Sequence, residues 1–300
     1  NLYPASDLSV ATVEIRDTEV SHRKLGVSPC AVMVISGLSG VMPEWLAVVI
    51  LGCIEGITEF LPISSTGHLL LAEHWIGHRS DLFNVVIQTG AVLAVLLVFA
   101  QRVRELLTGW SRPEVRDYLF KLGGAFLLTA IGGLLLKKFH LRLPSDPRPV
   151  ALATLVGGVA FIVLERWLKN RPTSDTLTWK VALVIGGGQL IAAAFPGASR
   201  SGTTILLALA VGLSRPAATE FSFLLGIPTL LAAGAKETWD VVKEGTPHEP
   251  WSLVILGTVI SAITAFFAVK WLLGYIRHHT FTSFGWYRVI VGALILLLTN

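Results

Sequence analysis

Six stretches of this chain, roughly 82–104, 117–136, 149–168, 216–238, 251–275 and 284–299, are apolar and close to the length that crosses a bilayer. Two further regions, 43–76 and 178–214, are equally apolar but broken. The first break is Glu55-Gly-Ile-Thr-Glu59-Phe-Leu-Pro-Ile-Ser64-Ser65-Thr66-Gly-His68, the second Pro196-Gly-Ala-Ser199-Arg200-Ser201-Gly-Thr-Thr204. Each holds the Gly and Pro that interrupt a helix and free backbone N–H groups. The chain therefore reads as an all-α polytopic membrane protein. About six transmembrane helices are expected, with two re-entrant broken-helix pairs.

Composition agrees. Of 300 residues 53% are hydrophobic and 15% charged, against about 25% charged in soluble domains. The net charge of +4 comes from Lys and Arg in short loops, which suits anionic lipid headgroups and excludes a nucleic-acid-binding face. Loops 101–116, 137–148 and 165–180 are all basic, so the positive-inside rule assigns no orientation. All nine tryptophans fall near segment ends, where indole favours the interface. Cys30 and Cys53 have no metal-type spacing. Residues 1–41 are polar with one weak apolar run and read as an N-terminal extension; residues 42–300 form the working domain.

The two broken regions resemble each other. Gly52-x-x-Glu55 with Pro62 aligns with Gly186-x-x-Gln189 with Pro196 at an offset of 134 residues, and Ser64-Ser65-Thr66-Gly67 with Ser199-Arg200-Ser201-Gly202 at 135. Three spans lie between them, an odd number, so the halves are expected to form an inverted repeat with a site at their junction.

The chemistry of the breaks is that of an anion site. Glu55 and Glu59, four apart, share a helical face. One acid at bilayer depth costs roughly 3 kcal/mol on insertion scales, so the pair calls for a divalent cation, a shared proton or a facing cation such as Arg200. Ser64-Ser65-Thr66 precede an apolar run as helix N-caps do. His68, three after Ser65, is placed to take its proton and make it a nucleophile. Arg200 offers a fork for phosphate oxygens at a half-helix N-terminus. Ser199, Ser201 and Thr204 add hydroxyls there. Gln88, within an apolar run, can bond a broken helix or act as interhelical glue.

These motifs, with Phe83-Asn-Val-Val-Ile-Gln88-Thr-Gly and Glu220-Phe-Ser-Phe-Leu-Leu, resemble the bacterial undecaprenyl-diphosphate phosphatase (bacitracin-resistance) family over residues 42–300. The resemblance implies a multi-pass enzyme of the bacterial inner membrane. It would hydrolyse the terminal phosphate of a C55 isoprenoid lipid diphosphate and recycle the carrier for peptidoglycan synthesis. It also implies a divalent cation, Mg2+ or Ca2+, on Glu55 and Glu59. The catalytic set would be Glu55, Glu59, Ser65, His68 and Arg200, with Ser64, Thr66, Ser199, Ser201, Thr204 and Gln88 at the substrate. Ser65, His68 and metal-bound water all stay open as nucleophile. The rival class is a polyprenyl-phosphate flippase or transporter, which shares the broken-helix architecture. The expected partners are the lipid substrate and the bilayer, a homo-oligomer being left open.

Overall fold

A computed structural model describes residues 42–138, 147–169, 171–245 and 249–298; the expected extension at 1–41 lies outside them. Among these described residues eleven helices follow one another: α1 (Glu44–Thr58), α2 (Ser65–Ile76), α3 (Asp81–Val98), α4 (Ala100–Thr108), α5 (Pro113–Lys138), α6 (Pro147–Leu168), α7 (Trp179–Ala194), α8 (Arg200–Ala210), α9 (Arg215–Glu244), α10 (Trp251–Tyr275) and α11 (Thr282–Leu298). No strand forms among the described residues beyond one bridge between Ser174 and Leu213.

Among the described residues five helices, α3, α5, α6, α9 and α10, are long and apolar enough to cross a membrane. The sixth expected span is α11, whose 17 residues stand at the lower end of the spanning range. By contrast α1, α2, α7 and α8 have 15, 12, 16 and 11 residues. At 1.5 Å per residue none covers a bilayer core alone, so each pair goes in and turns at its break. The expected span 82–104 is split: the backbone leaves the helical path at Phe99, and α4 follows as a separate, polar helix.

Helix ends follow local chemistry. Ser80, Thr178 and Ser214 cap α3, α7 and α9 through their hydroxyls. Gly245, at φ 64°, closes α9 in the left-handed conformation. Ser80 also donates from its backbone N–H (2.8 Å) and its hydroxyl to Glu249. Partial burial works to raise that carboxyl, but the Ser80 bonds prevail and hold it below the ordinary carboxylate range.

The repeat is visible in the backbone. Ser64 and Ser199 are the two non-glycine residues with positive φ among those described, at 74° and 68°; Gly77 and Gly212 match at 94° and 93°. Packing partners exchange between halves: α1 lies on α10, while α7 lies on α5. The counterparts α6 and α11 cross each other closely. A Cβ on Gly158 would stand 2.6 Å from the Gly285 carbonyl oxygen, and one on Gly292 2.8 Å from that of Ala151. With three spans between the breaks, this exchange is the packing of an inverted repeat. The main core gathers Phe60, Leu61 and Ile63 of the first break with Phe221, Phe223 and Leu225 of α9. The first break thus lies within the core.

Candidate active site

The first break runs from Glu59, at the end of α1, to Ser64, the cap of α2. Ser64 accepts from the Gly67 N–H at 3.3 Å, and Ser199 accepts from the Gly202 N–H at 3.1 Å at the start of α8. Positive φ is strained for a serine, at a cost of about 1–3 kcal/mol. Here it turns the chain sharply enough for a new helix to begin at the break. Ser65 and Arg200 therefore occupy the same position, the first residue of their half-helices.

Both reach one carboxylate. The Ser65 hydroxyl donates to Glu59 Oε2 at 2.7 Å, and Arg200 Nη2 donates to Glu59 Oε1 at 3.2 Å. The Ser201 hydroxyl bridges the breaks a second time through the Glu59 and Leu61 carbonyl oxygens, at 3.2 and 3.0 Å. Glu59 is 7% exposed and Glu55 wholly buried. The Arg200 guanidinium stands 5.1 Å over the Phe60 ring, which meets Phe223 edge-on at 4.9 Å. These apolar walls keep water from screening the ion pair.

Several groups are left with bonding capacity. Neither Glu55 oxygen has a partner, nor do Arg200 Nε and Nη1. Buried groups of this kind are costly unless something completes them. A guanidinium with free N–H groups beside a cap hydroxyl and two half-helix N-termini is suited to an incoming phosphate.

The expected Ser65–His68 pair does not form. His68 Nδ1 meets the Ser64 carbonyl oxygen at 2.7 Å, and Nε2 meets the Tyr287 hydroxyl at 2.8 Å. Spacing alone put hydroxyl and imidazole on one face, but at the first helical position the hydroxyl points back toward α1. Two expected phosphate ligands are likewise occupied. Thr204 is buried and bonds the Arg200 and Ser201 carbonyl oxygens of its own helix, at 2.9 and 3.1 Å, as hydroxyls do in apolar surroundings. Ser201 is fully buried between the breaks. Thr66 is exposed beside Ser65. Gln88 lies half-buried on α3, and no hydrogen bond joins it to either break. Glu220 stands apart, accepting from Arg102 Nε at 2.9 Å in a separate cavity lined also by Tyr118 and Lys121.

Sequence reasoning missed Tyr287 and Arg288 on α11. Arg288 is wholly buried, and no carboxylate faces it among the described residues. Its guanidinium donates to five carbonyl oxygens: Pro62 (3.3 Å) in the first break, Gly197 (3.1 Å) and Ala198 (2.9 Å) in the second, and Ala153 (3.4 Å) and Thr154 (3.1 Å) on α6. The signal was present, an arginine inside the apolar run 284–299. Its place near one end of that run reads equally well as a side chain reaching the interface.

Two carboxylates, two guanidinium groups and a serine hydroxyl bonded to one of the acids, set among apolar helices long enough to cross a membrane, define a class: an integral membrane protein with a polar centre between its helices. Residues 48–294 match the family model described as Bacitracin resistance protein BacA, and the chain belongs to that family. A protein of Rhizobium etli named undecaprenyl-diphosphatase is 51% identical over 258 residues, covering 85% of this chain and 97% of that one. Proteins of the same name from Xylella fastidiosa and Xanthomonas euvesicatoria are 48% and 49% identical, each over 85% of this chain and 98% and 97% of their own length.

Proposed function

We infer that this chain is an undecaprenyl-diphosphate phosphatase, a hydrolase that removes the terminal phosphate of the C55 isoprenoid diphosphate in the bacterial inner membrane. The observation that carries the reading is the Ser65–Glu59–Arg200 arrangement. A hydroxyl gives its hydrogen bond to a buried carboxylate, and a guanidinium with free N–H groups holds the other carboxylate oxygen. Carriage of a lipid phosphate needs no activated hydroxyl, so the transporter reading gains nothing from this geometry.

The reaction then follows from the residues. Arg200 and the N-termini of α2 and α8 hold the diphosphate. Glu59 takes the Ser65 proton, and Oγ attacks the terminal phosphorus. The bond to the lipid phosphate breaks, leaving phosphoserine and the monophosphate carrier. Water later cleaves the phosphoserine. Phosphoryl transfer depends chiefly on positioning and charge neutralisation, and the walls formed by Phe60 and Phe223 strengthen the field acting on it.

The residues present fit a divalent cation. Glu55, beside Glu59, offers two unpartnered buried oxygens. No three His, Cys, Asp or Glu side chains form a metal cluster among the described residues. A hard cation taking six or more oxygens would therefore be held by Glu55 and Glu59 and completed by phosphate oxygens and water. When bound it would neutralise phosphate charge that Arg200 alone leaves uncompensated.

Phosphate release from the C55 diphosphate in detergent tests this reading. Release is expected with Mg2+ or Ca2+ and is expected to fall to background with chelator. Glu59→Gln, which keeps shape but removes the base, is expected to lose about 10²–10⁴-fold in kcat. A folded wild type that releases no phosphate with either metal overturns the assignment.

A further inference from the structure

The Ser65–Glu59 bond leaves His68 without the partner its spacing suggested, and α11 supplies another. The Ser64 carbonyl oxygen only accepts, so Nδ1 of the neutral imidazole carries the proton. Nε2 is then an acceptor, and the Tyr287 hydroxyl donates to it at 2.8 Å. The two rings are parallel within 1°, with centroids 5.6 Å apart. Tyr287 is 42% exposed, and its neighbour Arg288 is locked onto both breaks, so the backbone that carries the phenol is fixed beside them. Two hydrogen bonds thus lead from Ser64, the residue before Ser65, to a part-exposed phenol.

In-line phosphoryl transfer places the entering and leaving oxygens on opposite sides of phosphorus. Glu59 attends Ser65 Oγ, the attacking atom in the first step and the leaving atom in the second. Glu55 lies with it on the same face of α1. Neither serves water arriving from the opposite side, and that side needs its own proton acceptor.

We propose that Tyr287 and His68 form a proton relay that activates the water releasing phosphate from Ser65. The proposal rests on the phosphatase reading. As the water oxygen bonds to phosphorus, one water proton passes to the Tyr287 oxygen while the phenolic proton passes to His68 Nε2. The P–Oγ bond breaks, and Oγ recovers the proton that Glu59 took during attack. The imidazolium later returns its proton through the phenol to solvent. Phosphoserine and water become serine and inorganic phosphate, with no other reactant.

Rapid-quench kinetics of the full chain in detergent, with C55 diphosphate and Mg2+, tests the relay. Tyr287→Phe keeps the ring and removes only the hydroxyl. First-turnover formation of lipid monophosphate is expected within about threefold of wild type, which also reports a folded site. Steady-state kcat is expected to fall about 10–100-fold, in the range of a lost proton-transfer group, with KM falling alongside it so that kcat/KM holds, and with phospho-Ser65 accumulating. His68→Asn should show the same block, and the double variant should be no slower than His68→Asn alone, the non-additivity of groups in one chain. Wild-type turnover in Tyr287→Phe overturns the relay, as does a loss that falls equally on the first turnover. A wild type with no phosphate release is a different result and overturns the phosphatase reading itself.

Discussion

The two breaks share a backbone and divide the chemistry. Each has a serine cap with positive φ, each starts a half-helix at the next residue, and each closes that half-helix with a glycine near 94°. At matched positions the first half carries Ser65 where the second carries Arg200, Glu55 where the second carries Gln189, and Glu59 where the second carries Ala193. The acids and the hydroxyl belong to one half, and the guanidinium belongs to the other. The repeat brings two equivalent N-termini to one carboxylate, Glu59, and in the proposed function one is the reacting side and the other the anchoring side. Neither half is a site by itself, because Glu59 and Arg200 form a buried ion pair across the breaks, and removing either partner leaves the other uncompensated.

The largest expected effect tests that division directly. Ser65→Ala removes the nucleophile and should reduce kcat by about 10³-fold or more, with diphosphate affinity largely retained. Arg200→Ala removes the anchor and should weaken substrate binding as well as kcat, by about 10²–10³-fold in kcat. Equilibrium binding of the diphosphate by both variants separates the two roles. Equal loss of binding in both would break the comparison.

Next comes the residue that serves both halves. Arg288→Met removes one donor from each of five carbonyl oxygens; Gly197 keeps the Thr154 hydroxyl and Ala198 that of Thr203, whereas Pro62 relies on the guanidinium. Each buried group left unsatisfied costs about 1–3 kcal/mol, so the variant should unfold in detergent at clearly lower temperature than wild type. Arg288→Lys, with three donors on a flexible stem, should recover only part of the loss.

The smallest effects concern the caps. Ser64→Ala and Ser199→Ala lose the cap bond but keep the strained φ, and each should cost about 1 kcal/mol. Ser64→Gly and Ser199→Gly lose the same bond yet relieve the strain, so each should be close to neutral by thermal unfolding. An equal cost for glycine and alanine at either position would show that the serine hydroxyl, and not the backbone, holds that break.

How much of this was legible from the chain depends on what enforces it. Spans and breaks were, because lipid penalises every unpaired polar group and leaves long apolar runs with conspicuous exceptions. Ser65, Arg200 and the glutamates stood out for that reason. The split at Phe99 was not legible, since an apolar residue marks it. Nor was the partner of Ser65: sequence spacing assigns neighbours within one helix, whereas this hydroxyl turns across the break to the preceding one. The occupied hydroxyls of Ser201 and Thr204 depend on which carbonyl oxygens come near, and no motif records that. Arg288 went unread because an arginine near the end of a span is ordinary until tertiary packing carries its guanidinium inward.

The grip of Arg288 on both breaks has a consequence for biogenesis. Helix α11 is the last to be synthesised among those described, and until it inserts the Pro62, Gly197 and Ala198 carbonyl oxygens have no latch. In a nascent chain with α1 to α10 already in the bilayer, Glu59 and Ser201 already have their partners across the breaks, and the guanidinium of the final helix fastens the carbonyl side. The last helix to be made is thus the one that completes the joint between the two halves.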